Sequence, residues 1–236
     1  MNHQFFVCLL LITFIVEPYF FLVCLNVFNT VTTLNYDLVL ELYSNDSDGE
    51  NRLSTTLNFF EQRGLNHHRS PPMLELTKIL NQQLHPNERI EYLKLHGSVD
   101  WWLGEDNNIY HDFTGQNPLI RLRDRMIIYP IYEKYISKEP FFTLYQYFRR
   151  SLLFEDIVIV IGYSFADISI NNAFIDWLIY KNNTRLIVVA QRNNHLRIRN
   201  IFGTLVNRIE FIEEYFGEDR FVDNLERSLM TFPIQN

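Results

Sequence analysis

The sequence predicts an open α/β sheet with parallel strands, and three observations carry that expectation. Four short apolar runs are bounded by polar or turn residues, as buried strands are. Segments with large apolar residues at spacings of three and four, the helical period, alternate with those runs. Each run also ends on a polar cluster, and in open parallel sheets ligands sit outside the carboxyl ends of the strands. Such alternation builds a sheet whose crossover helices cover its faces.

The chain opens on an apolar stretch, FFVCLLLITFIV (residues 5–16), followed by Glu17-Pro18 and then YFFLVCL. A spanning helix needs about 20 apolar residues, and a carboxylate and a helix breaker interrupt this one. Neither the positive start nor the small-residue cleavage site of a signal peptide is present. The favoured reading is two short buried elements, each a helix or a strand, with a turn at Glu17-Pro18. A membrane anchor through residues 5–25 is the alternative. Residues 1–28 are therefore set apart from a domain spanning 29–236.

The first strand is expected at VFNTVTT (27–33), leading into Leu34-Asn35-Tyr36-Asp37, and the second at IEYLKL (90–95), leading into His96-Gly97. MIIYPIY (126–132) is a further extended piece, placed at an edge or in a loop by Pro130. PFFTLYQYFRRSLLF (140–154) reads as a helix with Pro140 in its first turn. The third strand is DIVIVI (156–161), leading into Gly162-Tyr163-Ser164, and a helix capped by Asp167 follows over 168–181. The fourth strand, RLIVVA (185–190), leads into Gln191-Arg192-Asn193-Asn194. LNFFEQRG (57–64), PPMLELTKILNQQL (71–84) and EDRFVDNLERSLM (218–230) are further helices by period. Residues 45–51 and 104–108 read as exposed polar loops.

Composition narrows the function. An apolar fraction of 47% supports a buried core and excludes a disordered chain. With 21 Lys and Arg against 28 Asp and Glu, the net charge is −7. There is thus no broad field to attract nucleic acid or an anionic membrane, although a local basic spot could bind one phosphorylated ligand. Cys8 and Cys24 both lie in the first apolar stretch and no CxxC pair exists, which argues against a zinc ribbon and a disulfide framework. No metal is expected, and the expected compartment is the cytoplasm.

If the strands are parallel, Asn35-Tyr36-Asp37, His96-Gly97, Gly162-Tyr163-Ser164 with Asp167, and Asn193-Asn194 share one rim. Each also has a plain reading. Asn35 and Asp37 can cap a following helix, and Ser164 or Asp167 can do the same. His96 can be a hydrogen-bonded core histidine, and Gly162 a tight strand-to-helix passage. Trp101 and Trp102 read as packing residues.

The succession TTLNYDLVLE, LKLHGSVDW, IIYP and VIVIGYSFADISIN resembles the sirtuin-like domain of bacterial and archaeal defence proteins, over about Thr30 to Ala190. The resemblance implies a Rossmann-like, doubly wound sheet and NAD as substrate. Defence members of that family mostly hydrolyse NAD to nicotinamide and ADP-ribose, and sirtuins proper transfer acyl groups from lysine to ADP-ribose. On the resemblance, His96 is the base, Asn35 orients water or the nicotinamide ribose, and Asp37 braces the loop or contacts the same ribose. A histidine suits that work, because its unperturbed pKa is roughly 6.5. Thr33, Tyr36, Gly97, Gly162, Tyr163, Ser164 and Asp167 are carried over as NAD-contacting residues, and Asn193 as the adenosine end.

One departure stands out. The family begins with a strand, a Gly-Ala-Gly type turn and a helix whose N-terminus holds the diphosphate. Here the first glycine is Gly49, so the first glycine-rich βα unit is missing, replaced by the apolar stretch or supplied by another chain. An N-terminally shortened copy is one reading of that. The zinc ribbon of the deacylases is also absent. A phage-defence NAD hydrolase is the leading expectation, with NAD, a second copy or another defence protein as partners. An impaired domain that binds a nucleotide or a protein is the second. Deacylation or ADP-ribosyl transfer is the third.

Overall fold

The computed structural model of the chain describes residues 5–9, 28–34, 53–55, 90–105, 109–111, 122–128, 139–213 and 219–230. The strands among them are β1 (Phe5–Leu9), β2 (Phe28–Thr33), β3 (Leu53–Thr55), β4 (Ile90–Lys94), β5 (Gly97–Gly104), β6 (Ile109–His111), β7 (Leu122–Ile127), β8 (Ile157–Ile161), β9 (Arg185–Val189) and β10 (Ile209–Ile212). The helices are α1 (Phe141–Phe154), α2 (Ile168–Tyr180), α3 (Arg192–Phe202) and α4 (Asp219–Met230). They fall in two compact units, one of Met1–Phe28 with Leu152–Asn236 and one of Asn29–Ser151.

In the first unit the strands run in the order β10-β9-β8-β1, every neighbouring pair parallel. The register sets Phe6 opposite Val158, Ile161 opposite Val189 and Ile209 opposite Leu186. The run IVIVI of β8 lacks the alternation of a half-exposed strand because both its faces are covered, leaving every residue 3% exposed or less. Part of the opening apolar stretch is therefore a strand paired with β8. Among the described residues no helix is long and apolar enough to cross a membrane.

Helix α2 starts where Asp167 caps it, its carboxylate accepting the N–H groups of Ser169 and Ile170. It buries Ile170, Ala173, Phe174, Trp177 and Leu178, the helical spacing of one face. At its far end the Arg208 guanidinium bonds the carbonyl oxygens of Leu178, Lys181 and Thr184 and the Thr184 hydroxyl. Carbonyls left over at the helix end are thereby satisfied. Arg185 pairs with Glu210, Ser228 of α4 donates to the same carboxylate, and Arg185 donates to the Ser228 carbonyl.

The second unit holds parallel strands in the order β2-β4-β3 and a three-stranded antiparallel sheet, β6-β5-β7. Helix α1 follows Pro140, whose carbonyl accepts its first hydrogen bond, from Leu144, at 3.0 Å. Of the expected extended piece at 126–132, Met126 and Ile127 belong to β7, paired with β5, and residues 129–132 lie outside the described residues. Trp101 is buried, and Trp102 lies beneath the Arg125 guanidinium, 4.7 Å from its ring centre. Gly104 closes β5, and the expected loop begins at the exposed Glu105. The expected helices at 57–64 and 71–84, and the loop at 45–51, lie outside the described residues.

Candidate functional site

In the second unit, β2 and β4 are paired from Thr30 opposite Glu91 to Thr33 opposite Lys94. The ladder runs one step further, with the Leu95 N–H donating to the Thr33 carbonyl at 3.0 Å. The two strands therefore release Leu34 and His96 from the same carboxyl edge. Thr33 is 1% exposed, so its side chain lies inside the edge.

His96 is buried at 7% exposure, and its carbonyl accepts the Ile128 N–H at 2.9 Å. The next residue reverses the chain into β5. Gly97 has φ of +87°, the region that costs a side chain its ordinary conformation. The turn thus holds the imidazole at the strand end rather than letting it follow a mobile loop. Asn35, Tyr36 and Asp37 lie outside the described residues.

Beside His96, Lys94, Ser98 and Asp100 are buried at 2% exposure or less. Buried polar groups of that kind are usually hydrogen-bonded or paired. Every second residue from Lys94 to Asp100 is polar, a pattern legible in the sequence.

In the first unit, β8 delivers Gly162 with φ of +66°, its N–H held to the Val189 carbonyl of β9 at 3.3 Å. Gly162, Ser164 and Ala166 are exposed, and Tyr163, Phe165 and Asp167 between them are buried. The Tyr163 hydroxyl accepts the Asp167 N–H at 3.2 Å. Its proton faces the Asp167 carbonyl at 3.0 Å and the Asn171 Oδ1 at 3.1 Å. Of the residues expected to touch a ligand here, Gly162 and Ser164 face outward. Tyr163 and Asp167 are engaged within the turn and the helix cap.

From the neighbouring strand β9 the chain passes through Ala190 and Gln191 into α3, so Asn193 is exposed in that helix's first turn. The His195 Nε2 lies 2.9 Å from the Ala190 carbonyl, and its ring packs on Phe211 at 4.4 Å. Arg197 reaches the Phe165 carbonyl at 3.5 Å. Glu213 stands 3.7 Å from Arg192 and 3.5 Å from His195. Helix α3 carries Arg192, Arg197 and Arg199 and no carboxylate of its own, with Arg199 in its last turn and Glu213 facing Arg192 at its start.

Glu155 lies at the opposite, amino end of β8. Burial pushes its carboxyl up to about 7; Lys181 lowers it and Asp156 raises it by smaller amounts. It is a feature of the core and not of this edge. Among the described residues no group of three or more His, Cys, Asp and Glu side chains could hold a metal ion.

A family model described as SIR2-like domain matches residues 29–209. No curated protein matches the chain.

Proposed function

The chain belongs to the SIR2-like domain family, whose members use NAD, and from that premise we propose that it hydrolyses NAD to nicotinamide and ADP-ribose. One observation carries the reading. A histidine, His96, is fixed at the carboxyl end of a parallel strand, beside the end of β2 from which the sequence runs into Asn35 and Asp37. Substrates of open α/β sheets bind at such edges.

In the proposed reaction the bond between the nicotinamide nitrogen and ribose C1′ breaks. The electron pair stays on nicotinamide, which leaves neutral. Water attacks C1′ and gives its proton to His96, with Asn35 orienting that water and Asp37 bracing the same ribose. On the sequence resemblance, Thr33, Tyr36 and Gly97 are assigned to the nicotinamide-ribose end. Gly162, Tyr163, Ser164 and Asp167 are assigned on the same ground to the ribose and diphosphate, and Asn193 to the adenosine end. A role in antiviral defence rests on the sequence resemblance.

A second reading, a nucleotide- or protein-binding domain without turnover, is favoured by one specific feature. No glycine stands between β1 and β2, where the family's phosphate-binding turn would fall. Nicotinamide release by the purified chain, measured beside His96→Ala and Asn35→Ala, separates the two. Release abolished in both variants without any added acceptor supports hydrolysis. NAD binding without release supports the binding domain. Release that requires an acylated lysine or a protein acceptor indicates transfer instead.

A further inference from the structure

Phe165 has φ of +53°, a backbone state that bulky L-residues avoid and that persists only where surroundings hold it. It lies in the middle of the turn whose exposed residues, Gly162, Ser164 and Ala166, form the outer edge. What holds the bend comes from α2. The Asn171 Nδ2 donates to the Phe165 carbonyl at 3.0 Å, while its Oδ1 faces the Tyr163 hydroxyl at 3.1 Å. One carboxamide thereby ties both sides of Ser164. The donor end must face Phe165, because a carbonyl cannot accept from a carbonyl. Asn171 is 6% exposed, so its amide is committed to these inward contacts rather than to solvent. Phe165 packs on Tyr163 at 4.5 Å and edge-on against Phe202 of α3 at 5.8 Å. The bend is thus braced from two helices, and Arg197 reaches the same carbonyl from α3.

We infer that Asn171 is a positioning residue for the dinucleotide. It holds the Phe165 bend so that Gly162, Ser164 and Ala166 present one preformed edge to the ligand, which Asn171 itself does not touch. This inference rests on the NAD reading above and deepens it. A preformed edge contacts ground state and transition state alike, so its loss weakens binding and spares the chemical step.

The test is steady-state nicotinamide release and calorimetric NAD binding for the full chain, Asn171→Leu and Asn171→Asp. Leucine has a similar shape with no hydrogen bonds; aspartate keeps the acceptor but sets a carboxylate against the Phe165 carbonyl. KM and Kd are expected to rise about tenfold or more, with kcat within about threefold of the parent. Trp177→Phe, which loses the bond from Trp177 Nε1 to the Glu155 carbonyl at the other end of the sheet, is the control for general destabilisation. It is expected to lower the unfolding midpoint while leaving KM unchanged. Should Asn171→Leu fail to fold, Asn171→Ala carries the same test by removing the carboxamide. Unchanged KM in the Asn171 variants, or a kcat loss with KM held, overturns this inference and leaves the NAD reading standing. A parent chain that neither binds NAD nor releases nicotinamide overturns both.

Discussion

A β-carbon on residue 97 would lie 1.9 Å from the carbonyl oxygen of Met126 and 3.1 Å from the Phe141 ring. The turn from β4 to β5 therefore runs so close to β7 that only glycine fits at Gly97. Its φ of +87° adds a second, independent requirement. Gly97→Ala is expected to destabilise by about 3 kcal/mol or more, since backbone must move to relieve the contact. The unfolding midpoint in urea checks this, with soluble yield as the readout if the variant does not fold.

If His96 is the base, His96→Ala should lower kcat for nicotinamide release by about a hundredfold to ten-thousandfold and leave NAD affinity within a few-fold. Single-turnover assays beside equilibrium binding separate the two quantities. A proportional loss of binding would instead assign His96 to substrate contact.

Glu155 gives a pH-dependent stability with a definite sign. Its carboxyl is raised from 4.5 to about 7, chiefly by burial. Folding therefore favours the protonated form. The contribution is complete below the unfolded value of 4.5 and is lost as pH climbs through about 7. That loss is on the order of 3 kcal/mol. Glu155→Gln keeps a neutral group of the same shape, so it should match the parent near pH 4 and exceed its stability near pH 8. Urea unfolding of both proteins at the two pH values tests it.

Arg208 satisfies the Leu178, Lys181 and Thr184 carbonyls at the end of α2. Arg208→Ala should cost about 1.5–3 kcal/mol, the range for hydrogen bonds to a charged donor. Arg208→Lys should fall between, because one ammonium cannot span three acceptors as the guanidinium fork does. Hydrogen exchange at the last turn of α2 should quicken in both.

Val7 lies opposite Ile159 in the parallel pairing of β1 with β8. Val7→Pro removes an N–H within that strand and should destabilise by about 3 kcal/mol or more. Thermal unfolding checks it, and an unchanged midpoint would mean that β1 adds nothing to the sheet.

The strands were legible wherever both faces are covered. β8 and β9 read as unbroken apolar runs, and the structure begins and ends them within a residue of where those runs do. Asp167 was legible as a cap because side-chain chemistry and position coincide there. The antiparallel sheet β6-β5-β7 was not legible. The register of β5 against β7 shifts between Gly97 and Trp102 and again after Leu103, which erases the simple alternation that marks a half-buried strand. Helix α3 was missed too, since RNNHLRIRN is polar around most of its circumference and buries only His195, Ile198 and Phe202.

His96 and Gly97 stood out at the site because a histidine and a glycine behind an apolar run are unusual in themselves. Asn171 and Lys94 carry no such local signal. An asparagine inside a helix says nothing of the carbonyl it meets, and a lysine inside a strand reads as solvent-facing until its 1% exposure is seen.

By itself the sequence determined the α/β class, the parallel strands β2, β4, β8 and β9, and the family to which residues 29–209 belong. These follow from local period and from motifs of adjacent residues, which burial on both strand faces imposes directly on the chain. Tertiary structure alone decided that Phe5–Leu9 is a strand beside β8, that Met126 forbids a side chain at position 97, and that Asn171 holds the Phe165 bend. Each depends on a partner brought close by packing from elsewhere in the chain. A hydrogen bond or a steric limit of that kind leaves no periodic trace in the residues that obey it.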